Sequence, residues 1–149
     1  MTRPVYETNA DLSREQEVSD WLASYWHCEV VKLKPLYQFD RALIQDGEIQ
    51  AFAEIKCRTN PSTQYKSYLI SGDKMLKALA WRKLSGVPCQ LVVAWTDAIG
   101  IFQVEDDREY TVKIGGRKDR ADTQDLEPCF FIPLSWFKII PVKYSQNKA

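Results

Sequence analysis

Residues 12–26 carry Val18, Trp21, Leu22 and Tyr25 at helical spacing behind Ser13, a candidate N-cap, which predicts an amphipathic helix. Residues 28–33 read as a short strand stopped by Pro35. Two alternating runs follow, 37–44 and 49–56, separated by a turn at Asp46-Gly47. Asp-Gly between alternating apolar positions is a strong hairpin signal. Residues 59–63, rich in Thr, Asn, Pro and Ser, form a loop. A second helix is expected over 71–86. Ser71 caps it, Asp73 complements the dipole in the first turn, and Met75, Leu76, Leu79, Ala80 and Leu84 make an apolar stripe up to Gly86. Residues 89–95 carry no charge, as a buried central strand would, and 99–104 return beside them after a turn at 96–98. Strand signals in 110–114 and 130–132 are weaker, and 133–137 suggest one helical turn.

The order helix, three antiparallel strands, helix, strand, strand specifies a mixed sheet. A right-handed crossover through the 71–86 helix sets 89–95 parallel to a hairpin strand. The expectation is an α/β (α+β) domain with a central sheet flanked by helices, one domain over residues 1–149.

Composition narrows this reading. At 149 residues, 45% hydrophobic and 12% aromatic, the chain can bury a core. The five tryptophans are expected mainly there, with Trp81, near Lys77 and Arg82, partly exposed. No apolar run approaches the ~20 residues of a membrane span, and the N-terminus shows no signal-peptide pattern. Cysteines 28, 57, 89 and 129 are far apart, as in reduced thiols of a cytoplasmic protein. The single histidine, His27, excludes histidine-rich metal sites and stands where a helix ends.

The net charge of zero at first argues against a nucleic-acid partner, but its distribution argues back. Residues 54–83 carry a balance of +5 and residues 113–120 one of +3, while four acids gather within 105–109. A basic face and ordinary solvated surface are both compatible with that pattern.

The candidate chemistry lies on the hairpin. Folding it back brings Asp40 level with Glu54. Alternation puts Glu54 and Lys56 on one face, about 7 Å apart along the strand. Two carboxylates and an ammonium at one spot suit a hard divalent cation and a phosphate. Glu-x-Lys alone is common on exposed strands as an ion pair. Here Phe52, Ala53, Ile55 and Cys57 surround it, and an internal strand must justify its charges.

Asp40 followed by Glu54-Ile55-Lys56, with Arg58 beyond, resembles the PD-(D/E)XK nucleases, which include many restriction enzymes and archaeal Holliday-junction resolvases. The resemblance covers residues 13–104; Phe39 stands where the family name has Pro, a position outside the chemistry. The length and residues 115–120 are similar to small phage-encoded members.

The resemblance implies a restriction-endonuclease-like core and phosphodiester hydrolysis of DNA with Mg²⁺ or Mn²⁺. Asp40, Glu54 and the Ile55 carbonyl would hold the metal. Lys56 would orient or deprotonate the attacking water and contact phosphate. Lys74, in the first turn of the second helix, would touch phosphate or the metal's water, unless it is simply solvated. The first helix would present a glutamate, Glu15 by spacing or else Glu17; support of the helix dipole accounts for both without catalysis. Arg58, Tyr65, Lys66 and Lys77, with Arg117 and Arg120 on a Gly-Gly loop, are candidates for DNA contact.

The expected activity is endonuclease or exonuclease action in phage recombination, repair or genome processing, in the cytoplasm of a bacterial host. The alternatives are a Holliday-junction resolvase, which would act as a homodimer, and an inactive nucleic-acid-binding or assembly subunit, which the intact acid–acid–lysine set disfavours.

Overall fold

The computed structural model describes residues 9–34, 39–115 and 126–143, with side chains from residue 13 onward. The order is α1 (Asn9–Trp26), β1 (Glu29–Lys32), β2 (Arg41–Gln45), β3 (Glu48–Cys57), β4 (Ser67–Ser71), α2 (Gly72–Ser85), β5 (Cys89–Ala94), β6 (Ala98–Gln103), β7 (Thr111–Gly115), β8 (Glu127–Pro133), a 3-10 turn (Leu134–Trp136) and β9 (Lys138–Pro141).

Six strands form the main sheet in the order β1-β2-β3-β5-β6-β9. Only β3 and β5 run parallel, and α2 lies in the crossover between them, as the periodicity required. The β2–β3 hairpin turns at Asp46 and Gly47, with φ of 54° and 80°. Two successive positive φ values define the type I′ turn that Asp-Gly favours. A register shift between Leu43 and Ile44 adds a bulge to β2.

The main sheet has a core on each face. On one side Ala51, Ala53, Ile55, Val92 and Ala94 pack under Val18 and Leu22 of α1. On the other, Phe52, Leu91, Val93 and Trp95 meet Met75 and Ala78 of α2 and Tyr68, Ile70 and Ile132 of a second sheet. That three-stranded antiparallel sheet has the order β4-β8-β7. The result is a restriction-endonuclease-like α+β arrangement.

Several local expectations need correction. Helix α1 begins at Asn9, so Ser13 lies inside it and is not its N-cap. Strands β4 and β9 had no recognised pattern, because both are short, β4 half-buried and β9 mostly exposed. Helix α2 is capped as expected: Ser71 Oγ accepts from the Asp73 N–H, and Gly86 takes φ 76° at the C-terminus. Its buried side, however, is Gly72, Met75 and Ala78, while Leu76 and Leu84 are exposed. Small residues decide this. A Cβ on Gly72 would come within 2.8 Å of the Pro128 carbonyl oxygen, so the glycine allows α2 to lie against β8. Of the five tryptophans only Trp95 is fully buried; Trp81 is exposed and Trp21, Trp26 and Trp136 are half-buried. All four cysteines are free thiols, with Cys89 and Cys129 buried. No helix among the described residues is long and apolar enough to cross a membrane.

Candidate active site

Asp40 immediately precedes β2, and Glu54 sits in mid-β3. Arg41 pairs with Ala53, so the residue before Arg41 comes level with Glu54, as the hairpin predicted. Asp40 is held there at two points. Its backbone carbonyl accepts from Leu33 N–H at 2.8 Å, and its Oδ2 accepts from Ile55 N–H at 3.0 Å. The second bond ties the side chain directly to the strand that carries Glu54.

Alternation sends Phe52, Glu54, Lys56 and Arg58 to the α2 side of the sheet, and Ala53 and Ile55 to the α1 side. Glu54 is 2% exposed. Lys56 Nζ approaches its Oε1 at 3.3 Å, and Lys74 Nζ, from the first turn of α2, approaches the same oxygen at 3.2 Å. These are ion-pair distances, but the angles do not make hydrogen bonds: neither Glu54 oxygen has a hydrogen-bond partner. Burial raises the Glu54 pKa above the usual carboxylate value, and the charge of Asp40 raises it further, against the pull of Lys56 and Lys74. For Lys56 burial works against the charge. Glu54 and Asp40 outweigh it, so the net direction is upward and the ammonium is retained.

A buried carboxylate with no hydrogen bond, beside a second carboxylate, is costly unless something binds there. A hard divalent cation takes oxygen ligands and tolerates few of them from protein, because it keeps its waters. Among the described residues no cluster of three or more His, Cys, Asp or Glu forms a complete cage. Asp40 and Glu54 offer two oxygen donors, which suit a Mg²⁺-like ion that keeps most of its waters. They do not fit a zinc site.

A cavity of about 550 Å³ opens beside this cluster, with Lys56, Lys74, Ser71, Arg58 and Tyr68 among its walls. Arg58 donates to the Cys57 carbonyl at 3.0 Å and to the Tyr68 hydroxyl at 2.6 Å. A second cavity of about 560 Å³ lies beyond it and includes Tyr65 and Lys66. The structure thus brings Asp40, Glu54, Lys56 and Lys74 together and puts Arg58, Tyr65 and Lys66 along an adjoining groove.

Other expected residues fall elsewhere. Glu15 lies 3.8 Å from buried Arg41, whose cross-strand partner Ala53 packs on the α1 side. The charged groups acting on Glu54 are Asp40, Lys56 and Lys74. Lys77 is exposed on α2 and lines neither cavity. Arg117 and Arg120 lie outside the described residues. Sequence reasoning did not select Glu127, Phe131 or Leu134, which line the two cavities. They arrive through the β4–β8 pairing and had no local signal.

Fold and site together define a restriction-endonuclease-like architecture, with an acid–acid–lysine cluster on a sheet that contains a parallel crossover. A family model described as "Phage putative PDDEXK endonuclease" matches residues 1–140. The chain belongs to that phage nuclease family. Searches of curated proteins and of solved structures gave no match.

Proposed function

We propose that this protein is a Mg²⁺- or Mn²⁺-dependent deoxyribonuclease that cuts DNA during phage recombination, repair or genome processing in the host cytoplasm. The single observation carrying this is Glu54: a buried carboxylate without a hydrogen bond, next to Asp40 and flanked by two lysines. A purely structural ion pair would have its oxygens satisfied.

Asp40, Glu54 and the Ile55 carbonyl would hold the cation. When bound, it supplies charge neutralisation at the scissile phosphate and makes water easier to deprotonate. The Ile55 N–H keeps Asp40 Oδ2 fixed, so the acid pair is arranged before substrate arrives. Lys56, protonated at neutral pH, holds a phosphate oxygen and orients the attacking water. Lys74 contributes a second positive charge from α2, where the helix N-terminus also favours an anion. Arg58, Tyr65 and Lys66 guide the strand along the groove. Lys77, exposed on α2, adds positive charge to the surface.

The test is nicking of supercoiled DNA. Cleavage is expected with Mg²⁺ and not with EDTA. Asp40→Asn is expected to remove cleavage while leaving the fold and DNA affinity nearly intact. Wild-type activity in purified Asp40→Asn overturns the assignment. A panel of single strand, duplex, flap and four-way junction identifies the preferred structure. Symmetric junction cutting would additionally require a homodimer.

A further inference from the structure

The larger cavity has a lining that phosphate contacts alone do not call for. Its walls include Tyr65, 62% exposed, with half-buried Phe131 and Leu134, and behind them the buried Tyr68 and Trp95. Phosphate recognition requires charge and N–H donors; a recess lined by rings adds nothing to it. The charge sits at the edge, in Arg58 and Lys66. Arg58, Tyr68 and Leu69 line both cavities, so the recess adjoins the groove at Lys56 and Lys74.

The recess is also fixed in advance. The loop before it is tied down where Ser62 donates through its N–H and Oγ to Asp97, at 2.8 and 2.9 Å, and where Thr96 N–H donates to the Asn60 carbonyl. Its other end is held by Leu134 N–H donating to the Lys66 carbonyl at 2.9 Å. Tyr65 lies between these anchors. Arg58 cannot swing freely, because its guanidinium lies 5.2 Å from the Tyr68 ring centre and bonds the same hydroxyl.

Aromatic rings beside a cationic track provide base stacking, which is tolerant of sequence because every base has a π face. Bases inside a duplex are covered by their neighbours and reach a side recess only when unpaired or flipped. We propose that the recess at Tyr65 and Phe131 takes one unpaired nucleobase next to the phosphate being cut, making single-stranded or locally unpaired DNA the substrate. This rests on the nuclease reading of the neighbouring Asp40 cluster, and the test separates the two.

The test has a binding arm in EDTA and a cleavage arm in Mg²⁺. The probe is a short oligothymidylate with one fluorescent purine analogue, used alone and annealed to its complement. Wild-type protein is expected to quench the single-stranded probe by stacking. Tyr65→Ala should weaken single-strand binding about ten-fold, and duplex binding far less. Tyr65→Phe should retain the wild-type preference. Tyr65 is largely exposed, so truncating it leaves the core in place, and a thermal melt verifies folding. In the cleavage arm, Tyr65→Ala should lose the preference for unpaired substrate. Absence of quenching, or equal losses on both probes, overturns the recess assignment while cleavage still stands for the nuclease. Quenching without any cleavage supports the recess and overturns the nuclease reading instead.

Discussion

Replacing Glu54 by Gln should stabilise the metal-free protein. The carboxylate is 2% exposed and has no hydrogen bond. Leaving a buried polar group unsatisfied costs about 1–3 kcal/mol, and more when it is charged. Opposing this are ion pairs to Lys56 and Lys74, whose side chains keep 40% and 30% exposure. Solvent screens such pairs, so each is worth about 0.2–1 kcal/mol. Glutamine keeps the shape and an acceptor oxygen for the lysines, and its neutral amide is cheaper to bury than the charge. The balance favours the variant by about 1 kcal/mol, or about 2–4 °C in Tm for a domain of this size. Circular-dichroism melts in EDTA measure it. Adding Mg²⁺ should reverse the order. Wild type gains about 2.7 kcal/mol at a hundred-fold excess over Kd, and Glu54→Gln, having lost a ligand, should gain far less. A variant that melts lower in EDTA would show Glu54 to be the hub of a stabilising ion network. Identical Mg²⁺ responses would refute cation binding at this carboxylate.

Other expectations follow from separate contacts. A Cβ on Gly100 would lie 2.5 Å from Trp95 Cζ3, so Gly100→Ala should lose about 1–3 kcal/mol through overpacking; an unchanged denaturant midpoint would contradict the packing. Hydrogen bonds from the Ser62 N–H hold the Asp97 pKa below the usual carboxylate value, helped by the Ser62 hydroxyl and opposed by slight burial. A depressed folded pKa gives stability that is present above the unfolded value and lost as pH falls through the folded one. Asp97→Asn should therefore flatten acid-side Tm loss in that range, and a curve parallel to wild type at every pH would refute the link. Lys66→Ala combined with Lys77→Ala should weaken DNA binding irrespective of sequence and reduce the salt slope by about one unit per lost phosphate contact; unchanged affinity and slope would class both lysines as solvated surface.

Local patterns in the sequence were sufficient for much of this protein. Asp46-Gly47 determined the hairpin because both residues tolerate positive φ, and alternation then put Asp40, Glu54 and Lys56 at one place. Ser71 and Gly86 delimited α2 through their own hydrogen-bonding and backbone preferences. The connection through α2 let β3 and β5 run parallel as neighbours. What tertiary structure alone decided depends on distant pairing. Lys74 reaches Glu54 because Gly72 lets α2 settle against Pro128, 56 residues further along the chain. Glu15 is directed to Arg41 by the face on which α1 packs. The recess exists because β8 pairs with β4, which sets Phe131 opposite Leu69 at its wall. Periodicity reports which faces of a segment are apolar. It carries no record of which partner will cover each face, because that depends on close approach and shape between residues far apart in sequence, and so the hairpin carrying Asp40 and Glu54 was legible where the walls of the adjoining groove were not.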